Sequence, residues 1–108
     1  MKLADLAPHF LLIVDPHHFK MVDAITEADG IEFLCPLCFT ANSGPVGTHG
    51  IICWRPHVPQ TIDPTPGRWQ FQGNDYGDLT LVAGSSSVLL TKGCHAHFFI
   101  RCGEIQLV

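Results

Sequence analysis

Residues 30–39 read GIEFLCPLCF: a short, mostly apolar run that breaks into Cys35, Pro36, Leu37 and Cys38. Ile31, Glu32, Phe33 and Leu34 make a short strand-like run that ends at the first cysteine. Two thiols three residues apart at a strand end point both sulfurs toward one place, as a zinc knuckle does. A tetrahedral zinc needs four ligands, so the reading of this stretch depends on a second pair elsewhere.

The stretch GCHAHFFIRCGEI at 93–105 offers that pair. Gly93 supplies a turn, Cys94 and His97 stand at Cys-x-x-His spacing, and an apolar strand follows. Neighbouring Cys94 and His95 would point apart in an extended chain, which favours His97 over His95. His95 and His49, the latter in GTHG, remain the substitutes for the fourth ligand, and His49 also suits a role orienting a ligand. The plainer alternative is a set of core thiols with a satisfied core histidine beside Phe98 and Phe99. Matched spacing in both halves favours zinc, although a thiolate-rich site accepts iron too. A thioredoxin-like redox pair would begin a helix in a βαβ unit, a context that FTANSGPVG after Cys38 does not suggest. Cys53, inside GIICW, reads as core, and Cys102 as an exposed thiol at a turn.

Outward from these motifs, the texture after Gly30 is β: IEFL, GIICW, RWQFQG, DLTLV, SVLL, HFFI and EIQLV are separated by Gly, Pro, Asn and Ser. Cys102 and Gly103 read as a tight hairpin turn. Before Gly30, DPHHFKMVDAITEADG carries helix punctuation, with Asp15 to cap, Pro16 at the first turn and Gly30 beyond the end. Phe19, Val22, Ile25 and Ala28 recur at helical spacing, so a helix is expected there, preceded by a short helical turn and an apolar segment. The expectation is a mainly β domain with an N-terminal helix, a small α+β fold over 1–108 with its helical segment at about 1–29. An antiparallel β domain of this kind would be stapled by one zinc. RPHVPQTIDPTPG, with four prolines between Trp54 and Arg68, reads as an ordered excursion, either a connection or a binding loop.

A length of 108 residues with 46% hydrophobic content bounds this to one domain with a modest core, to which a metal would add substantially. A net charge of -4 with 6 Lys+Arg gives no electrostatic footprint for phosphate, so nucleic acid is disfavoured as partner. The longest apolar run, Phe10 to Val14, is far short of the roughly 20 residues that span a bilayer. Five cysteines without a secretory leader fit reduced thiols in a cell interior. No acid, base or nucleophile constellation stands out: Glu32 and Glu104 merely neighbour the ligand segments, and GSSS at Gly84 to Ser87 lacks a nucleophile elbow.

ADGIEFLCPLCF, GTHGIICWRPHVPQ, DLTLVAGSSSVLL and GCHAHFFIRCGEI together resemble a family of small uncharacterised phage and prophage proteins. These share a Cys-Pro-x-Cys knuckle, an Ile-Cys-Trp-Arg-Pro strand, a Leu-Thr-Leu strand and a closing Gly-Cys-x-Ala-His-Phe-Phe hairpin. The resemblance covers nearly the whole chain and implies a protein of the bacterial cytoplasm, with no activity attached. It places metal-type residues at Cys35, Cys38, Cys94 and His97, with the variable position at His95. The expected function is an accessory or interaction module acting on a host or phage protein, with the Pro-rich excursion, Trp69 and Tyr76 on its surface. A zinc-dependent hydrolase with an open coordination position is the alternative, and a nucleic-acid-binding zinc ribbon the second.

Overall fold

The computed structural model describes residues 1–82, 87–90 and 93–108. Gly84 to Ser86 of the GSSS stretch, and Lys92, lie outside the described residues. Among the described residues the fold is mainly antiparallel β with one short α-helix, α1 (Pro36–Ala41). Strands β1 (His9–Asp15), β2 (His18–Val22), β3 (Gly30–Leu34) and β4 (Gly50–Trp54) form a sheet in the order β2-β1-β3-β4. Strands β5 (Gln70–Gln72) and β6 (Thr80–Val82) pair with each other, and β7 (Val88–Leu89), β8 (His97–Arg101) and β9 (Glu104–Leu107) make a third sheet in sequence order.

Side-chain alternation builds a core on each face of the first sheet. Phe10, Ile31, Phe33, Ile51 and Cys53 point to the main cluster, where they meet Leu3, Leu6, Leu79, Leu81, Phe98 and Ile100. Leu11, Ile52 and Trp54 point the other way, and the Pro-rich excursion covers them with Val58 and Ile62. The excursion is therefore ordered by burial. Its carbonyls converge on one side chain: the Arg68 guanidinium donates to the carbonyls of Val58, Pro59, Ile62, Pro64 and Gly67 at 2.6–3.0 Å.

The helix expected after Asp15 is replaced by a β-hairpin. Asp15 caps a turn instead of a helix: its Oδ1 accepts the His17 N–H at 2.9 Å and lies 2.8 Å from His18 Nδ1. Asp15 then pairs with His18 across Pro16 and His17, and Phe10 with Val22, with a bulge at Val14. What remains of the helical expectation is a 3-10 turn at Ile25–Glu27, together with the short 3-10 turn at Leu3–Leu6. At the other end, Cys102 and Gly103 form the two-residue turn between β8 and β9, both at positive φ (50° and 73°). That hairpin is tied to the N-terminus, since Leu3 N donates to Gly103 O and Ile105 N to Met1 O, each at 2.8 Å.

Candidate metal centre

Three chain segments meet at one corner of the main core. The β3–β4 ladder extends one pair beyond the strands, because Cys35 N donates to His49 O at 2.9 Å. Cys35 and His49 are therefore cross-strand neighbours. Pro36, with no N–H to satisfy, occupies the first position of α1, and Phe39 N closes the first turn on Cys35 O at 2.9 Å. That turn brings Cys38 round to the side of Cys35. The third segment is the turn before β8, where Gly93 (φ 68°) and His95 (φ 53°) are left-handed and Leu90 N donates to Ala96 O at 2.8 Å. Cys94 projects from this turn.

The Cys35 and Cys94 sulfurs are 3.6 Å apart, and His49 Nε2 lies 3.4 Å from Cys94 Sγ. Ligand atoms of Cys35, Cys38, His49 and Cys94 all fall within 4.8 Å of one another, close enough to hold a metal ion. Tetrahedral zinc, with Zn–S about 2.3 Å and Zn–N about 2.05 Å, needs edges of about 3.8 Å between sulfurs and about 3.6 Å between sulfur and nitrogen. The two measured edges lie within a few tenths of an ångström of these values. A disulfide would need about 2.05 Å, so the two sulfurs, 3.6 Å apart, are in contact and not bonded.

The electrostatics of the cluster are uneven. Burial, aided by Cys94 and Cys35 alongside, pushes the Cys38 thiol up to about 11, whereas the His49 contact brings Cys94 down to about 7. Cys35 is fully buried, Cys38 and Cys94 are half-buried, and His49 is exposed on one side. The Nδ1 of His49 sits 3.3 Å from Gly50 O, a contact that leaves Nε2 aimed at the sulfurs.

The structure thus gathers Cys35, Cys38 and Cys94, with His49 in the place expected for His97. Strand alternation is the reason: Phe98 and Ile100 are buried completely, so His97 shares the opposite face of β8 with Phe99 and Arg101. The His97 ring lies 6.4 Å from that of Phe99, over which the Arg101 guanidinium stacks at 4.2 Å. His95 is exposed in the left-handed turn. Reading His49 from the sequence required the register of β3 on β4, in which Leu34 faces Gly50 and the next pair outward is Cys35 and His49. Cys-Pro-x-Cys does start a helix here, yet β3 and β4 on either side of it are antiparallel, which differs from the βαβ setting of thioredoxin-like pairs.

Cys53 is buried completely and Cys102 is exposed at its turn. Glu32 sits on the outer face of β3 and Glu104 on the last hairpin opposite Arg101. Tyr76 is half-buried, stacked on Phe10 at 4.4 Å and accepting the Phe10 N–H at 2.9 Å, so it belongs to the core and not to a binding surface. No helix among the described residues is long and apolar enough to cross a membrane. Comparison with protein-family models, curated proteins and solved structures finds no match to this chain.

Proposed function

We propose that this chain is a zinc-stapled interaction module, encoded by a phage or prophage and acting in the bacterial cytoplasm on a host or phage protein. The observation that carries the metal half of this reading is the convergence of three thiols and one imidazole from three separate segments. Cys35, Cys38, His49 and Cys94 would hold the ion, and the sulfur-rich set with one imidazole favours zinc. Zinc supplies a crosslink there, joining the β3–α1–β4 unit to the turn that leads into β8. In zinc-finger peptides such binding contributes about 10–16 kcal/mol directly to folding, large beside the margin of a domain this size.

Two features favour an interaction module over the other readings. Four protein ligands complete a tetrahedral shell, whereas a hydrolytic zinc keeps a position for water. The three arginines are also engaged within the fold: Arg68 on five carbonyls, Arg55 on the Ile25 and Ala28 carbonyls, and Arg101 on Phe99 and Gln106. Among the described residues these arginines form no phosphate-binding row. The phage setting is supported by the four motifs that resemble small phage and prophage proteins.

Elemental mass spectrometry on the purified protein tests the metal. One zinc per chain is expected, lost in Cys35→Ser, Cys38→Ser and Cys94→Ser, weakened in His49→Ala, and retained in His97→Ala and His95→Ala. A folded, metal-free protein would overturn the reading, and zinc lost with His97 but kept without His49 would overturn the ligand set.

A further inference from the structure

Two strand edges face a common groove beside the metal centre. In the β3–β4 ladder, Cys35 N donates to His49 O and Arg55 N to Asp29 O, so residues 49, 51 and 53 bond to β3. Gly50, Ile52 and Trp54 turn their backbone groups to the outer side. There Trp54 O accepts the Trp69 N–H at 2.9 Å and Gly50 O meets His49 Nδ1, while the N–H and C=O of Ile52 have no partner among the described residues. In the third sheet Leu90 N donates to Ala96 O and Val88 pairs with Phe98, so Leu89 turns its backbone outward, and the residue is 55% exposed.

Between these edges lies a groove of about 750 Å³, walled by Ile52 of β4, by Leu89 and Leu90, and by Pro64 and Pro66 of the excursion, with Trp69 beside them. Trp69 Nε1 donates to Ser87 O at 3.3 Å and so links the two sides. Resting on the interaction-module reading and naming its partner class, we infer that this groove receives an extended apolar polypeptide segment of a partner protein, added as a strand along Ile52 with Leu89 on its other side.

Three observations select that occupant. Outward N–H and C=O groups of a strand edge are matched by another extended backbone, and apolar walls take its alternate side chains. The edges also differ from the guarded one: β2, at the far side of the first sheet, carries Lys20 in mid-strand, the usual device against pairing, whereas Gly50 to Ile52 and Val88 to Leu90 carry no charge. Charge is the third: the carboxylate lining the groove is Asp63, and no Lys or Arg joins it among the described residues. A polyanion is therefore disfavoured, and a neutral segment with a basic residue at the Asp63 end fits.

The test selects a displayed library of random twelve-residue peptides on the zinc-loaded full chain, and measures the synthetic winner by fluorescence anisotropy and amide NMR. Expected are alternating apolar peptides with a basic residue and few acidic ones, and new protection of the Ile52 and Leu89 amides from exchange. N-methylation of the peptide at the positions facing β4 should weaken binding by about tenfold, as loss of one or two backbone hydrogen bonds does. Leu89→Asp should weaken it likewise, and Met21→Asp on β2 should not. The inference is overturned if no peptide is enriched, if N-methylated and parent peptides bind alike, or if the perturbed amides lie on β2. Zinc measured in the same preparation separates the two readings: bound zinc with no peptide sinks the groove alone, and peptide binding without zinc sinks the metal alone.

Discussion

Replacing Arg68 by methionine should loosen the Pro-rich excursion and, with it, the second core. All five N–H donors of the guanidinium are used, from Nε to Val58 O, from Nη1 to Pro64 O and Gly67 O, and from Nη2 to Pro59 O and Ile62 O. Methionine keeps much of the stem and removes every donor. The carbonyls of exposed Pro59 and Pro64 can turn to water, but Val58 and Ile62 are 3% and 8% exposed, so theirs are the costly ones to strand. At about 1–3 kcal/mol for each buried group left unpaired, the loss is roughly 2–6 kcal/mol. A central loss of about 3 kcal/mol would lower Tm by roughly 12–24 °C in a domain near 100 residues. Urea melts followed by circular dichroism measure the global term. Amide exchange at Val58, Ile62 and Trp69, bonded to the carbonyls of Arg55, Pro59 and Trp54 respectively, measures local opening. Arg68→Lys should recover less than half, because a single ammonium cannot reach carbonyls arranged around a planar fork. A methionine variant within about 0.5 kcal/mol of the parent, with exchange at those three amides unchanged, would refute the reasoning.

Metal affinity should rise with pH. The Cys38 thiol, held near 11, is protonated at neutrality and must release its proton to bind, so affinity should tighten at least about tenfold per pH unit between pH 7 and 9. Below about 7 the dependence should steepen as Cys94 also takes up a proton; a competition assay across pH 6–9 that came out flat would contradict this. In the metal-loaded protein a thiol reagent should label Cys102 quickly and leave Cys53 untouched, because burial holds the Cys53 thiol far above its ordinary value; rapid labelling that survives Cys102→Ser would count against the assignment. Gly103→Ala should cost roughly 2–4 kcal/mol by chemical denaturation, since φ is +73° and a β-carbon would collide with the Gly77 carbonyl. A neutral result would mean that the last hairpin can shift away from residues 76–77.

Much of the β framework was legible because its signals are local. Gly30 to Leu34, Gly50 to Trp54 and His97 to Arg101 are strands where short apolar runs between Gly, Pro, Asn and Ser placed them, and Cys102-Gly103 is the turn its composition demands. The helix was misread at Asp15, since an aspartate followed by proline serves a helix cap and an Asx turn equally well. Pairing of β2 with β1, a tertiary event, decided between them. Spacing singled out the three cysteines that the structure brings together, and it named His49 only as a substitute for His97 beside them. His49 reaches the site through cross-strand register, whereas His97 sits at ligand spacing on a strand whose alternation carries it to the other face. Nor could four prolines announce that one arginine organises the loop around them.

The order in which the four clustered residues are made has its own consequence for the zinc reading proposed above. Cys35, Cys38 and His49 all precede Cys94, the last of them by 45 positions. At about 5–20 residues per second, translation runs for roughly 2–9 s between His49 and Cys94. Through that interval a nascent chain owns at most three of the four groups, so under that reading any ion it picked up would be held on an incomplete shell and could still exchange. Under the zinc reading, synthesis of the turn that carries Cys94, ahead of the final hairpin, would then be the step at which metal choice becomes fixed.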